Sequence, residues 1–220
     1  MKNEINVHGL YKNFGGKNIL TDVSFNLSTG DVLGLFGKNG CGKSTLLKIL
    51  FGTLKPTRLE LSINGTSIAP KNIIPEQLIG YLPQESFLPK HLKVRDIIPL
   101  FHESGDAQDT IFRAPFIEKI ASRKAGLLSM GEIRYLELLL VANLTHSFLM
   151  LDEPFSMIEP LYKEKIKEFL ISFKAKKGII LTDHYYTDVF DVSTKNLVLK
   201  DGVAHEVHTS KDLKNFGYLR

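Results

Sequence analysis

The stretch VLGLFGKNGCGKST, residues 32–45, limits what this chain can fold into more than any other part of it. Its first five residues are a continuous apolar run, the pattern of a strand buried on both faces, as in a parallel sheet covered by helices. The next nine, GKNGCGKST, fit Gly-x4-Gly-Lys-Ser and lead into "STLLKILFG", a short helical pattern ended by Gly52. Glycines let successive backbone N–H groups converge on phosphate oxygens, and a helix N-terminus adds partial positive charge. In such a loop Lys43 reaches the β- and γ-phosphates of a nucleoside triphosphate, and the Ser44 hydroxyl ligates Mg2+.

The rest of the chain supplies a sheet around that loop. "EINVHGL" alternates apolar and polar residues as a strand does, and "NILTDVSFNL" reads as a second strand before a turn at 28–31. "LELSINGTSIA" carries Asn-Gly between two strand patterns, which predicts a hairpin. "LIGYLPQ", "FLML" and "GIILT" are further strands, and "NLVLKDGVAHEV" is a hairpin turning at Asp201-Gly202. Between 85 and 127 the character changes. Pro89, Pro99, Pro115 and clustered polar residues leave only short helical patterns such as 94–101, which predicts an inserted helical subdomain. From Ser129 a helix carries Ile133, Leu136, Leu140, Val141 and Leu144 at helical spacing, and Ile166, Phe169, Leu170 and Phe173 mark the buried stripe of another. Strands alternating with helices around apolar runs argue a largely parallel α/β sheet.

A second motif follows "FLML". Asp152, at the end of that strand, would stand beside the phosphate loop and hold the Mg2+ shell, and Glu153 would polarise an attacking water. Composition is ordinary for a soluble globular protein: 220 residues, 43% hydrophobic and 24% charged. No apolar run reaches the ~18–20 residues that span a bilayer, and the opening "MKNEINVHGLYKNF" lacks a secretory core. The single cysteine, Cys41, excludes an internal disulfide and fits a reducing compartment; beside Lys43 and a helix start its thiol is expected to be acidified. A soluble, cytoplasmic protein is expected. The net charge of +4 comes largely from the Lys-rich 163–177 region. That region reads as a solvated helix face, with acidic phospholipid headgroups as the alternative contact. His8, His91, His102, His146, His205 and His208 show no metal-ligand spacing.

With these motifs in this order the chain resembles the ATP-binding cassette (ABC) ATPases, the motor subunits of ABC transporters, over nearly its whole length. Phe14 in "YKNFGG" matches the aromatic that stacks on adenine, with Tyr11 the alternative. Gln84 after "GYLP" matches the Q-loop glutamine, and Leu128-Ser129-Met130-Gly131-Glu132 occupies the signature slot. Asp152-Glu153 is the Walker B pair, Ser156 to Glu159 the D-loop, and His184 in "LTDH" the switch histidine. Three positions depart from the family pattern. Met130 replaces the first signature glycine, Glu159 replaces the D-loop aspartate, and Arg58-Leu59 stands where a glycine is usual.

The resemblance implies an ABC ATPase fold in one domain over 1–220. Residues 1–84 and 145–220 would form a P-loop NTPase (RecA-like) core with an N-terminal antiparallel β-subdomain, and 85–144 a helical subdomain bearing the signature helix. ATP and Mg2+ are the implied cofactors. The nucleotide would meet Phe14, Gly37, Asn39, Gly40, Cys41, Gly42, Lys43, Ser44 and Thr45. Ser129 and Gly131 would close on the nucleotide of a second cassette, with Met130 between them pointing away. The metal would be served by Ser44, Gln84 and Asp152, and the reaction by Glu153, His184, Lys43 and Gln84. The implied partners are a second cassette and separate transmembrane permease subunits, without nucleic acid, on the inner face of the cell membrane. Glu132, "DEPF" and "TDH" look similar to cassettes for lipopolysaccharide export and branched-chain amino-acid import. The alternatives are a cytosolic non-transport ABC ATPase and a regulatory cassette with weak hydrolysis.

Overall fold

The computed structural model describes residues 2–219. The N-terminal half opens with two long strands, β1 (Glu4–Phe14) and β2 (Lys17–Ser28), antiparallel across Gly15 and Gly16. The predicted buried strand is β3 (Val32–Phe36), with every residue buried, and it feeds the glycine loop into α1 (Lys43–Leu50). Then come β4 (Arg58–Ile63) and the two-residue β5 (Thr66–Ser67), turning on Asn64 and Gly65 at φ 52° and 77°. Positive φ at both central residues is the demand of this tight turn, and Asn-Gly meets it. These strands make an antiparallel sheet in the order β2-β1-β4-β5.

The second half begins with β6 (Ile79–Leu82) and continues into α2 (Val94–Phe101), α3 (Gly105–Phe112) and α4 (Ile117–Ile120). It proceeds through α5 (Met130–Ala142), β7 (Phe148–Asp152), α6 (Pro160–Phe173) and β8 (Gly178–Thr182). It closes with α7 (Tyr186–Val192), β9 (Lys195–Lys200), β10 (Val203–Glu206) and α8 (Ser210–Asn215). A six-stranded sheet runs β10-β9-β3-β8-β7-β6, parallel except for the edge strand β10. Because β3, β7 and β8 are parallel, their C-terminal ends share one edge. The glycine loop, Asp152-Glu153 and Asp183-His184 all leave the sheet there.

Two apolar cores flank this sheet. One packs α1 and the antiparallel sheet against it through Ile5, Leu10, Leu20, Leu35, Leu47 and Met150. The other joins the opposite face to α5, α6 and the 94–120 helices through Leu136, Leu140, Leu151, Ile166, Ile98 and Ile117. Helix α5 touches β6, α2 and α6. Of the stripe read from spacing Leu136, Leu140 and Val141 are buried, Ile133 is half-buried and Leu144 lies beyond the helix end, while Tyr135, Leu138 and Leu139 are buried as well. On α6, Ile166 and Leu170 are buried, whereas Phe169 and Phe173 are half-buried and stack at 4.2 Å between centroids.

Three lysines of the Lys-rich region depart from the solvated reading. Lys167 lies among Asp188 (2.7 Å), Asp191 (2.8 Å) and Glu164 (3.2 Å), and Lys163 reaches Asp188 at 3.1 Å. Lys177 is buried and donates to Leu144 O at 2.7 Å. Lys163, Lys167 and Lys177 thus tie α6 to α7 and cap a strand entry, while Lys176 is exposed and Lys165 and Lys174 are half-buried, so only part of the region keeps the solvated face expected of it. Among the described residues no helix is long and apolar enough to cross a membrane.

Candidate active site

The loop 37–42 turns through glycines at positive φ and delivers Lys43 to the first turn of α1. Gly42 is required twice over: its φ is 113°, and a Cβ there would lie 2.9 Å from Leu20 Cδ2. The Lys43 ammonium, nearly buried, donates to Gly37 O (2.6 Å) and Lys38 O (3.3 Å). Before the loop's mouth lies a cavity of about 280 Å³ lined by Asn39, Gly40, Gly42, Lys43, Ser44, Thr45, Gln84, Glu153 and His184. Nine predicted residues from four separate stretches therefore meet on one site.

Glu153 is its hub. Gln84 Nε2 donates to one carboxylate oxygen at 3.0 Å, and His184 Nε2 lies 2.9 Å from the other. The residue holds φ 56°, a left-handed conformation that costs a non-glycine residue about 1–3 kcal/mol. Its amide donates to Thr182 O at 2.8 Å, which fixes the turn after β7. Asp152 sits behind, accepting from Ser44 Oγ (3.3 Å) on one oxygen and from Tyr81 OH (3.2 Å) on the other. Burial raises the Asp152 carboxyl despite these bonds, and burial with the nearby Asp152 pushes the Tyr81 phenol up. A buried carboxylate beside a serine hydroxyl, short of a full counter-charge, is the donor set a hard divalent cation takes. Ser44 and Asp152 thus fit Mg2+.

A family model described as ABC transporter matches residues 20–156. The chain belongs to the ABC transporter family. It is 28% identical to the lipopolysaccharide export system ATP-binding protein LptB of Acidithiobacillus ferridurans, over 92% of this chain and 88% of the relative. It is 30% identical to an ABC transporter ATP-binding protein of Methanocaldococcus jannaschii, covering 96% of this chain and 79% of the relative. A solved ATP-binding subunit of an ABC transporter overlays 97% of this chain and 93% of its own length at TM-score 0.83 and 24% identity. The fold class is that of ABC ATPases, and the chain is an ATP-hydrolysing transporter subunit. Family membership favours it over the cytosolic and regulatory alternatives.

The remaining cassette motifs lie apart from the cavity. Ser129 caps α5: its Oγ accepts from Glu132 N (3.2 Å), and Glu132 Oε2 accepts from Ser129 N (2.7 Å). Glu132 also takes Arg123 Nη1 at 2.7 Å. Met130 is 56% exposed in ordinary helical backbone, so the position does not need glycine. Gly131 is buried, and a Cβ there would run into the Glu159 carboxylate and lie 2.7 Å from Tyr162 Cδ2. The second signature glycine is thus held by packing against the D-loop glutamate. Phe14 is 47% exposed under Lys12, whose Nζ is 4.4 Å from the ring centroid, and it does not line the cavity.

Gly37 and Cys41 line a different, rear cavity with Lys200, Phe216 and Tyr218. The Cys41 amide donates to Lys38 O at 3.1 Å. Burial outweighs the Lys43 charge and raises the thiol, so the expected acidification is overturned.

The sequence reading missed three groups. Arg134 and Glu137 of α5 are 6% and 1% exposed and pair at 3.4 Å. Arg134 donates to Pro83 O (2.6 Å), Glu153 O (3.3 Å) and Asp152 O, while Glu137 accepts from Phe87 N (3.0 Å). One ion pair on the signature helix therefore fastens both the Q-loop and the Walker B turn. Asp183, also buried, accepts from Phe155 N (2.7 Å), Ser156 Oγ (3.0 Å) and Tyr185 N (3.1 Å), joining the D-loop to the switch histidine. The available signal was a charged pair three apart inside the apolar "IRYLELLL". Tyr81, within "GYLPQ", is the third.

Proposed function

We propose that Lys43, Gln84, Glu153 and His184 carry the hydrolysis, and that the chain works as one half of an ATP-gated cassette pair. The observation that carries this reading is the convergence of Gln84 and His184 on the Glu153 carboxylate at the mouth of the phosphate loop. In this reading Lys43 leaves the carbonyls of Gly37 and Lys38 for the triphosphate, whose charge the loop amides and α1 also stabilise. Ser44 and Asp152 hold Mg2+, which when bound neutralises charge on the β- and γ-phosphates. Glu153 orients a water for attack on the γ-phosphorus and draws on its proton, while His184 steadies the γ-phosphoryl group. The bond from the γ-phosphorus to the β–γ bridging oxygen breaks, giving ADP and phosphate.

Ser129 and Gly131, outside the chain's own cavity, complete the second cassette's site in this scheme. Their place at the N-terminus of α5 supports it, because the first amides of a helix have no intrahelical partner. Loss of the γ-phosphate removes the joining contacts and lets the pair open. Phe14, 47% exposed with Lys12 over its ring, stacks on adenine in this scheme.

The division at 85–144 is our reading of the domains, supported by α2 to α5 all falling inside it. Membrane subunits would dock in the apolar groove of about 290 Å³ lined by Phe51, Tyr81, Pro83, Phe87, Phe101 and Leu144. The cassette would then sit peripherally on the cytoplasmic face. The relatives named for lipopolysaccharide export favour export as the direction of transport.

The test is ATP turnover beside ATP binding in Glu153→Gln and His184→Ala. Both should bind ATP as the parent does and lose turnover by about 10²-fold or more. Turnover at the parent's rate in Glu153→Gln would remove Glu153 from the reaction.

A further inference from the structure

Tyr81 belongs to two places at once. It lies on β6, at the edge of the sheet opposite β10, in parallel register with Met150, two residues before Asp152 on the neighbouring strand. Its ring packs on Phe51, the C-cap of α1, at 5.0 Å between centroids, and forms part of the wall of the apolar groove. Its hydroxyl donates to Asp152 Oδ2 at 3.2 Å. Ser44, at the opposite end of α1 from Phe51, holds Asp152 Oδ1. The carboxylate is therefore clamped between two hydroxyls, one from the phosphate loop and one from the groove wall.

The geometry points to Tyr81 as a positioning residue for the metal site: its phenol fixes the Asp152 carboxylate in the orientation that receives the divalent cation. This rests on Asp152 serving the metal, as proposed above. Ser44 alone leaves the carboxylate free to rotate about its last torsion, because terminal sp³–sp² torsions are broad and weakly held. The Tyr81 hydroxyl removes that freedom, and loss of such an outer partner typically weakens metal affinity 10–100-fold. Phenylalanine would keep the ring, the contact with Phe51 and the groove wall, so Tyr81→Phe deletes the hydrogen bond alone.

Binding of a fluorescent ATP analogue, titrated with MgCl2 and repeated in EDTA, separates the possibilities for the full-length parent, Tyr81→Phe and Asp152→Asn. For Tyr81→Phe the MgCl2 concentration at half-effect should rise on the order of tenfold. Its nucleotide affinity in EDTA and its nucleotide-free melting temperature should match the parent. Asp152→Asn should abolish the metal response. A parent-like MgCl2 titration in Tyr81→Phe, with the response still lost in Asp152→Asn, overturns the Tyr81 assignment and leaves the metal reading standing. A metal response retained in Asp152→Asn overturns both. Equal weakening of Tyr81→Phe with and without Mg2+ shows a general distortion and likewise overturns it.

Discussion

Replacing Arg134 by Met strips four acceptors of one donor group. It leaves the Glu137 carboxylate, in a nearly closed interior, without its cation and with Phe87 N as its hydrogen-bond partner, and leaves the carbonyls of Pro83, Asp152 and Glu153 without that donor. Burial pulls the Arg134 guanidinium down and pushes the Glu137 carboxyl up, so desolvation outweighs pairing for each. Breaking a buried pair by removing one member costs about 3–5 kcal/mol. In a chain of this size that lowers Tm by about 2–4 °C per kcal/mol, or roughly 6–20 °C. Replacing Glu137 by Met as well removes the buried carboxyl that lost its cation, though the Q-loop and Walker B carbonyls stay without the Arg134 donor. The double variant should therefore melt above the sum of the single losses, with a coupling of about 1–3 kcal/mol. Its ATP turnover should stay as low as that of Arg134→Met, because Asp152 and Glu153 have lost their backbone anchor. Thermal melts by circular dichroism and turnover on the same preparations give both numbers. Additive Tm losses, or turnover restored in the double variant, would refute the idea that one ion pair fastens both loops.

Burial, helped by the Lys177 charge, lowers His146 to about 4 from its ordinary 6.5. Between those values the unfolded chain binds the extra proton, so this imidazole's contribution to stability is present above pH 6.5 and is lost as pH falls towards 4. The raised carboxyls of Glu137, Asp152 and Asp183 act in the opposite sense, so the comparison is with His146→Gln, whose melts from pH 7 to pH 4 should fall less steeply than the parent's. Gly131→Ala should cost about 1–3 kcal/mol in urea unfolding. Glu159 can swing clear of the new methyl, but the Tyr162 ring packs between Phe116 and Tyr135; an unchanged midpoint would mean that this contact yields freely. Cys41, with its thiol raised by burial, should react with iodoacetamide more slowly at pH 7.5 than free cysteine and accelerate as pH rises. Faster labelling than free cysteine would contradict that environment.

Much of the frame was legible because it rests on local rules. The apolar run at 32–36 read as a covered strand, Asn64-Gly65 and Asp201-Gly202 read as hairpin turns, and the 94–101 pattern gave α2 its observed bounds. The phosphate loop, Asp152-Glu153, Gln84 and His184 were readable because each follows the end of a strand, and parallel strands bring those ends together. What escaped depends on tertiary surroundings. Periodicity assigns a charged residue to the outer face of a helix, so Arg134 and Glu137 stayed hidden until α5 proved to be buried along most of its length after the first turn. Lys163 and Lys167 looked solvated because their partners Asp188 and Asp191 stand on α7, a seven-residue helix too short to show a pattern. Cys41 was placed by its neighbour Lys43 in sequence, whereas its side chain faces the rear cavity instead.

Sedimentation velocity of the parent and of Glu153→Gln, each with Mg2+ and either ATP or ADP, tests the cassette mechanism most directly. The signature residues Ser129 and Gly131 lie outside the chain's own cavity, so ATP should join two chains and ADP should not. Glu153→Gln should sediment as a stable dimer in ATP and as a monomer in ADP, with the parent only transiently dimeric. A variant that binds ATP yet stays monomeric, with its turnover intact, would contradict both the pairing and the role given to Glu153.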